Sequence, residues 1–261
     1  MSDQTLFKDQ WSAELYDFQR STGEQPDVAL WLELAKETGG PVCELACGSG
    51  PAMLPLARAG YQVVGLDLSP QMLAIARRRL EAESPGVRQR VRLVQGNMAD
   101  FRLDEEFGLI YITTRSFQAL LERIEQRSCL ECCARRLRRG GLLAINVFNP
   151  RLSQLTSTGG VDLGPQEYRG PGGEMIRETG HIDYDIANQR LTWRMRQEAT
   201  APDGQVTPHE YVVHLRYCFR FEMEWMFEAC GLEVQALYGD FDRSPFTADS
   251  PQMIFVARKG R

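Results

Sequence analysis

Histidine is nearly absent from this chain, with three in 261 residues. Neither a pair at zinc-ligand spacing nor a Ser-His-Asp order can be assembled from them, which argues against the commonest hydrolytic chemistries. Long apolar runs are missing too. No stretch approaches the roughly 18 residues that span a bilayer, and residues 1–10 form a polar start without a secretory core. The expectation is a cytoplasmic protein with no membrane partner. Positive charge is in deficit, with 30 Lys and Arg against 35 Asp and Glu for a net charge of −5. That balance argues against nucleic acid held by bulk electrostatics and favours small-molecule partners. A disulfide framework is lacking as well, since the seven cysteines are an odd number scattered through apolar surroundings, as suits reduced thiols. Cys129, Cys132 and Cys133 stand close together but fall in a helical run with no second ligand pair, so they read as packing and no metal site is expected.

What is present is an apolar fraction of 43%, enough for the core of one large domain or of one domain with an insertion. The stretch Val42-Cys43-Glu44-Leu45-Ala46-Cys47-Gly48-Ser49-Gly50-Pro51 reads as a strand ending in an acid, a glycine turn and a helix start. Gly48 and Gly50 permit tight positive-φ turns and close approach of a ligand to the main chain. Pro51 suits a first helical position, so a helix is expected to open there with its free N–H groups toward the ligand. A second strand over 61–67 also ends in an acid, Asp67, followed by Ser69 as N-cap and Pro70 as first helical residue. Met72, Leu73, Ala76 and Leu80 then recur at helical spacing.

Further along, strands are expected over 91–95, 107–112 and 142–148, with one helix from about 117 to 137. Two helices over 11–18 and 27–38 precede the first strand. Alternating strands and helices imply an α/β fold with a doubly wound, mostly parallel sheet, whose ligands bind beyond the carboxyl ends of the strands. Glu44, Asp67, Asn97 and Thr113 all fall at such ends. Residues 151–173 are rich in Gly, Pro, Ser and Thr and are expected to be irregular, followed by three strands over 175–184, 190–199 and 210–218. A helix over 221–230 and strands over 232–238 and 253–258 close the chain. The expected organisation is a helical cover over 1–40, an α/β core over 41–150, an antiparallel β insert over 151–218 and completion of the core sheet over 219–261.

Glu44-x-Ala46-x-Gly48-x-Gly50, with Asp67 ending the next strand and Gly96-Asn97-Met98 after the third, resembles the class I S-adenosylmethionine-dependent methyltransferases of the small-molecule type. The resemblance implies a seven-stranded sheet ending in an antiparallel hairpin, S-adenosyl-L-methionine as cofactor and S-adenosyl-L-homocysteine as product. It implies a cofactor site built from Glu44, Ala46, Gly48, Gly50, Asp67, Leu68, Met72, Asn97, Met98 and Thr113, with Asp67 on the ribose and Asn97 and Met98 at the adenine. Ala46 stands where many relatives have glycine, a mild change, and Asn97 stands in place of an acid. For Glu44, support of the glycine loop through backbone N–H groups remains an alternative to ligand contact. Tyr16, in the N-terminal helix, is placed to close over the sulfonium or the acceptor. Arg115, after the fourth strand, is the candidate clamp for an anionic acceptor, against the alternative of a surface arginine. His214 is the histidine nominated as proton acceptor. In the insert, Thr192, Arg194 and Arg196 share a strand face that reads as solvated, opposite Leu191, Trp193 and Met195.

The expected function is methyl transfer to an oxygen or nitrogen of a small metabolite by in-line displacement, in a monomer or homodimer. Two other readings compete. A nicotinamide-dependent oxidoreductase would need a third small residue where Met53 stands. A non-catalytic S-adenosylmethionine-binding protein would share the cofactor residues and differ on the acceptor side.

Overall fold

The computed structural model describes residues 7, 9–151, 155 and 160–260. Its centre is a seven-stranded sheet built from β1 (Val42–Leu45), β2 (Val63–Asp67), β3 (Val91–Gln95), β4 (Phe107–Ile112) and β5 (Leu137–Phe148), completed by the last two strands of the chain, β10 (Leu232–Tyr238) and β11 (Gln252–Lys259). The strand order is β10-β11-β5-β4-β1-β2-β3, with β1 to β5 parallel and β11 antiparallel to both its neighbours. Strand order reverses at β1, which has β2 on one side and β4 on the other. The carboxyl ends of these strands therefore flank a switch point, the address at which open α/β sheets bind ligands.

Helices cover both faces. Trp31 and Leu34 of α2 (Asp27–Thr38), Met53 and Leu56 of α3 (Met53–Arg58) and Val87 of α5 (Pro85–Arg88) pack on one side. Cys129 and Leu130 of α6 (Arg123–Arg136) and Met223 and Phe227 of α7 (Arg220–Ala229) pack on the other. Helix α4 (Pro70–Glu81) begins as expected, with the Ser69 side chain accepting from the Met72 N–H at 3.2 Å. Cys129, Cys132 and Cys133 are buried free thiols in the core, and no group of ligands able to hold a metal occurs among the described residues.

The second sheet is antiparallel and four-stranded, in the order β6 (Val161–Arg169), β7 (Met175–Asp185), β8 (Arg190–Thr200), β9 (Val206–Arg216). Strand β6 lies in the stretch expected to be irregular. Its register against β7 shifts between Leu163 and Gln166, where Gly164 and Pro165 sit. An edge strand tolerates a proline that cannot donate to the ladder, so the breaker residues mark a bulge. Residues 152–154 and 156–159 of the expected insert lie outside the described residues.

Two helix expectations are corrected. The single helix expected over about 117–137 is divided into a 3-10 turn at Ser116–Ala119 and α6. Glu122 caps α6 in a capping box with Glu125, whose carboxylate accepts from the Glu122 N–H at 3.1 Å, and this reciprocal cap starts a new helix. Helix α3 is only six residues long, so the run of free N–H groups expected after Pro51 is a single turn, closed by Leu54 N–H to the Gly50 carbonyl at 3.0 Å.

The first helix, α1 (Gln10–Thr22), lies between the two sheets. Leu15 packs with Ile176 and Ala199 of the insert, and the Trp11 ring stacks on His209 at 3.6 Å between centroids. From other positions, Arg79 of α4 bonds Asp17 at 2.9 Å and Ala13 packs with Met72. No described helix is long and apolar enough to cross a membrane.

Candidate active site

The glycine turn after β1 has three left-handed residues, Ala46 (φ 56°), Gly48 (φ 54°) and Gly50 (φ 83°). A Cβ on Gly50 would lie 2.8 Å from Met53 Cε, and one on Gly48 3.1 Å from Met72 Cε. The main chain is thus pressed closely between α3 and α4, and only glycine leaves that space open. Ala46 has no such freedom. An L-residue in the left-handed region costs roughly 1–2 kcal/mol, so the alanine that looked a mild exchange for glycine stores backbone strain at the site.

Asp67 holds the turn. Its Oδ2 accepts from the Gly48 N–H at 2.7 Å and its Oδ1 from the Ser69 N–H at 2.8 Å. Burial raises its pKa, and backbone donors at Ser69, Gly48 and Leu68 work against the rise. A carboxylate offers about four lone-pair sites, so one remains for a ligand hydroxyl. Glu44 is 1% exposed, and Tyr111 donates its hydroxyl to Oε2 at 2.8 Å. Its recorded donor is therefore a side chain from β4 and not the N–H groups of the loop. Burial pushes the Glu44 carboxyl well above the ordinary range, Tyr111 pulls it down, and the charges of Asp27 and Asp67 push it up again.

Asp27 was read in the sequence only as a helix start. It is 2% exposed at the beginning of α2 and gathers three donors: Arg20 bonds both carboxylate oxygens at 2.7 Å, Trp31 Nε1 donates at 3.2 Å and the Thr113 hydroxyl at 2.9 Å. Thr113 does sit at the end of β4 as expected, but its hydroxyl is committed to Asp27. No local pattern announced this hub, since Thr113 lies 86 residues further along the chain.

The remaining expected residues divide. Leu68, next to Asp67, is 67% exposed, an apolar surface open to a ligand. Met72 is buried beneath Gly48 and packs with Tyr16. Met98 belongs to the core cluster around Leu66 and Phe101. The Asn97 carbonyl turns back to accept from the Ala99 N–H at 2.9 Å, which leaves one lone pair for any base amino group. Ser49, which the sequence reading passed over, has a buried hydroxyl without a partner among the described residues.

On the acceptor side, Tyr16 lies close enough to Arg20, Asp27 and Asp67 to feel their charges, and burial raises its pKa. It is edge-on to Phe7 at 4.8 Å. Arg115 is solvent-exposed as a residue, within electrostatic reach of Tyr16, and the protein packed around part of its side chain lowers its pKa. It has no carboxylate partner among the described residues. Thr114 (φ 56°) and Arg115 (φ 62°) are consecutive left-handed residues, and the Arg115 N–H is held by Asn146 Oδ1 at 3.2 Å, with Asn146 Nδ2 donating to Gln252 at 2.9 Å. Asn146 and Gln252 are supports that no local pattern announced.

His214 is brought elsewhere. It pairs across β8–β9 with Thr192, whose hydroxyl lies 3.0 Å from its Nδ1. Cross-strand partners share a face, so His214 stands with Thr192, Arg194 and Arg196. Met195, Tyr211 and His209 alternate to the other face, the one that carries the contacts to α1. The nominated histidine is thus turned away from Tyr16, and Arg194 and Arg196 are exposed as expected.

Three buried carboxylates, Asp27, Glu44 and Asp67, influence one another here, and among the described residues Arg20 is the one cation bonded to any of them. Such a site has more carboxyl acceptors than cations to meet them, beside an open leucine and an orphaned hydroxyl. That donor set fits a ligand with a sulfonium, an ammonium, ribose hydroxyls and an aromatic base. Residues 42–141, which contain all three strand-end segments, match the family model described as a methyltransferase domain. The chain carries a class I S-adenosylmethionine-dependent methyltransferase domain.

The methyltransferase has full-length relatives. It is 26% identical to the cypemycin N-terminal methyltransferase of Streptomyces sp, over 99% of this chain and 100% of that one. It is 28% identical to dTDP-3-amino-3,6-dideoxy-alpha-D-glucopyranose N,N-dimethyltransferase of Streptomyces fradiae, over 87% and 86% of the two chains. Among solved structures, the CcbJ methyltransferase of Streptomyces caelestis superposes with a TM-score of 0.81 at 25% identity and covers the whole of both chains. The nicotinamide and the non-catalytic readings are thereby set aside.

Proposed function

We propose that the methyltransferase N-methylates an amino group on a small, anionic metabolite of the amino-sugar kind. The observation that carries this reading is Arg115, a guanidinium with no carboxylate partner, fixed by a strained turn within reach of Tyr16. Relatives that match over most of their length include enzymes whose names specify an amine acceptor, on a peptide N-terminus and on nucleotide-linked amino sugars, and these support nitrogen over oxygen.

When bound, S-adenosylmethionine supplies an electrophilic methyl group on sulfur. The chain's own residues do the rest. We assign Asp67 to the ribose, Leu68 and Met98 to the base, Ser49 and the Gly48 and Gly50 backbone to the turn that holds the ligand, and Glu44 with Asp27 to its cationic end. Ala46, Met72, Asn97 and Thr113 shape this lining. Tyr16 closes over the mouth and excludes water, which aligns an acceptor with the methyl carbon without any covalent step by the protein. Arg115 anchors the acceptor's anionic group. Its charge also disfavours an ammonium beside it, so the acceptor nitrogen is held neutral and needs no histidine base. In this reading 1–40 form the cover, 41–150 the cofactor-binding core, 151–218 the acceptor cover and 219–261 the completion of the sheet, in a cytoplasmic enzyme.

The test is release of S-adenosylhomocysteine from the purified chain with a panel of nucleotide-linked amino sugars and their neutral, free-sugar counterparts. The expected result is turnover with the anionic members and a KM about tenfold or more higher in Arg115→Ala, at unchanged S-adenosylhomocysteine affinity. Equal parameters in the variant would reject Arg115 as the anchor, and turnover of hydroxyl but not amino acceptors would reject nitrogen.

A further inference from the structure

Far from the strand-end site, helix α7 is apolar on two opposite sides. Met223 and Phe227 are fully buried against the core, while Phe221 and Trp225, four residues apart, point outward at 65% and 74% exposure. A helix with apolar residues all round is normally covered on every side. Around the two rings lie Phe219 at the helix start, Ile124 at the start of α6 and Ile186 in the β7–β8 turn, all exposed. The pieces are contiguous, because Gln189 of that turn bonds Glu222 of α7 at 2.9 Å and Arg190 bonds Glu122 beside Ile124 at 2.5 Å. Between α6 and α7 runs a groove of about 440 Å³ whose lining includes Arg123, Arg127, Trp225, Met226 and Cys230.

We propose that this face is a homodimer interface in which α7 of one copy lies along the α6–α7 groove of a second copy about a two-fold axis. Charge favours a second copy over an unrelated partner. Helix α6 carries four arginines against two glutamates, and α7 carries one arginine against three glutamates. An antiparallel two-fold pairing lays the acidic helix of each copy on the basic helix of the other, satisfying both contacts with one surface. The area is also of the right size. At 150–250 Å² for a whole aromatic side chain, the exposed parts of Phe219, Phe221 and Trp225 present roughly 400 Å². The two isoleucines and the stems of Arg123 and Arg127 extend that toward the roughly 800 Å² per partner of a standard interface. An exposed apolar patch of this size, rimmed by charged residues, commonly marks an interaction surface.

Sedimentation velocity of the full chain from low micromolar to several hundred micromolar, at low and high salt, decides the matter. The wild-type protein is expected to be dimeric, with dissociation favoured by salt, and Phe221→Lys/Trp225→Lys to be monomeric with S-adenosylhomocysteine affinity unchanged. That unchanged affinity shows the variant to be folded. Hydrogen exchange on the wild-type chain gives an independent reading, with protection at residues 219–229 rising with protein concentration. A wild-type chain that stays monomeric over the range, a double variant that still dimerises, or concentration-independent exchange at 219–229 would each overturn the assignment. A monomer that instead binds a purified macromolecular substrate through these residues would overturn it too.

Discussion

Every residue of β1, β2 and β4 is buried, whereas β6 is exposed along nearly its whole length, β8 alternates, and β7 and β9 are mostly half-buried or exposed. The charges follow the same division. In the core, Asp27, Glu44 and Asp67 sit below 9% exposure and are held by specific donors. In the insert, Asp162, His181, Asp183 and Arg194 form an open network across β6, β7 and β8. A carboxylate out of water is held only with partners or with a cationic ligand, and each of these three has at least one donor. The insert carries no such constraint. Its residues can change with little effect on the buried core beside it.

The comparison can be broken most forcefully at Asp27. Asp27→Ala leaves Arg20, Trp31 and Thr113 without their shared acceptor and is expected to destabilise the protein by about 3–5 kcal/mol in denaturant unfolding. A loss below 1 kcal/mol would show that the buried acids are no more costly than those of the insert. Next in size is Asp67→Ala, expected to weaken S-adenosylmethionine binding by about 1–3 kcal/mol in calorimetry, through loss of a ribose acceptor and of the Gly48 anchor. Unchanged affinity would remove Asp67 from the site.

Ala46→Gly sharpens the contrast in the opposite direction. Relief of left-handed strain outweighs the added freedom of the unfolded chain, so this variant is expected to gain about 0.5 kcal/mol, read as a higher Tm. A lower Tm would mean that the turn is unstrained. The smallest effect belongs to His181, whose pKa is raised by the Asp162 carboxylate 2.5 Å away, with Asp183 adding to it. A histidine raised in the folded state stabilises fully below its ordinary pKa and loses that contribution as pH rises through the raised value. The Tm difference between wild type and His181→Gln should therefore shrink from about pH 5 to pH 9, and a gap that widens would contradict the pairing.

What could be read in the sequence was whatever is encoded by neighbours in the chain. The acid-terminated strands, the glycine turn and the Ser69 cap depend on contacts within a few residues, and the structure has them where expected. The capping box at Glu122 was equally local and was there to be read. The Asp27 hub was not, because its partner Thr113 is 86 residues away and an aspartate at a helix start has an ordinary explanation already. His214 shows a different limit. Alternation along β8 and β9 told which residues share a face, but which face meets α1 is decided by tertiary packing. Strand β6 was hidden because glycine and proline signal a break in isolation and a bulge at a sheet edge.

Helix α1 carries two sets of contacts in fixed angular phase. Trp11 and Leu15 meet the insert, while Tyr16 packs against Met72 and Arg20 bonds Asp27 on the core side. Each set repeats every fourth residue, and the sets, five residues out of step, stand about 140° apart around the axis. Inserting a single amino acid between Leu15 and Tyr16 would rotate one set out of alignment with the other. The helix works like a two-bitted key, tolerant of exchange at either bit so long as the angle between them is preserved.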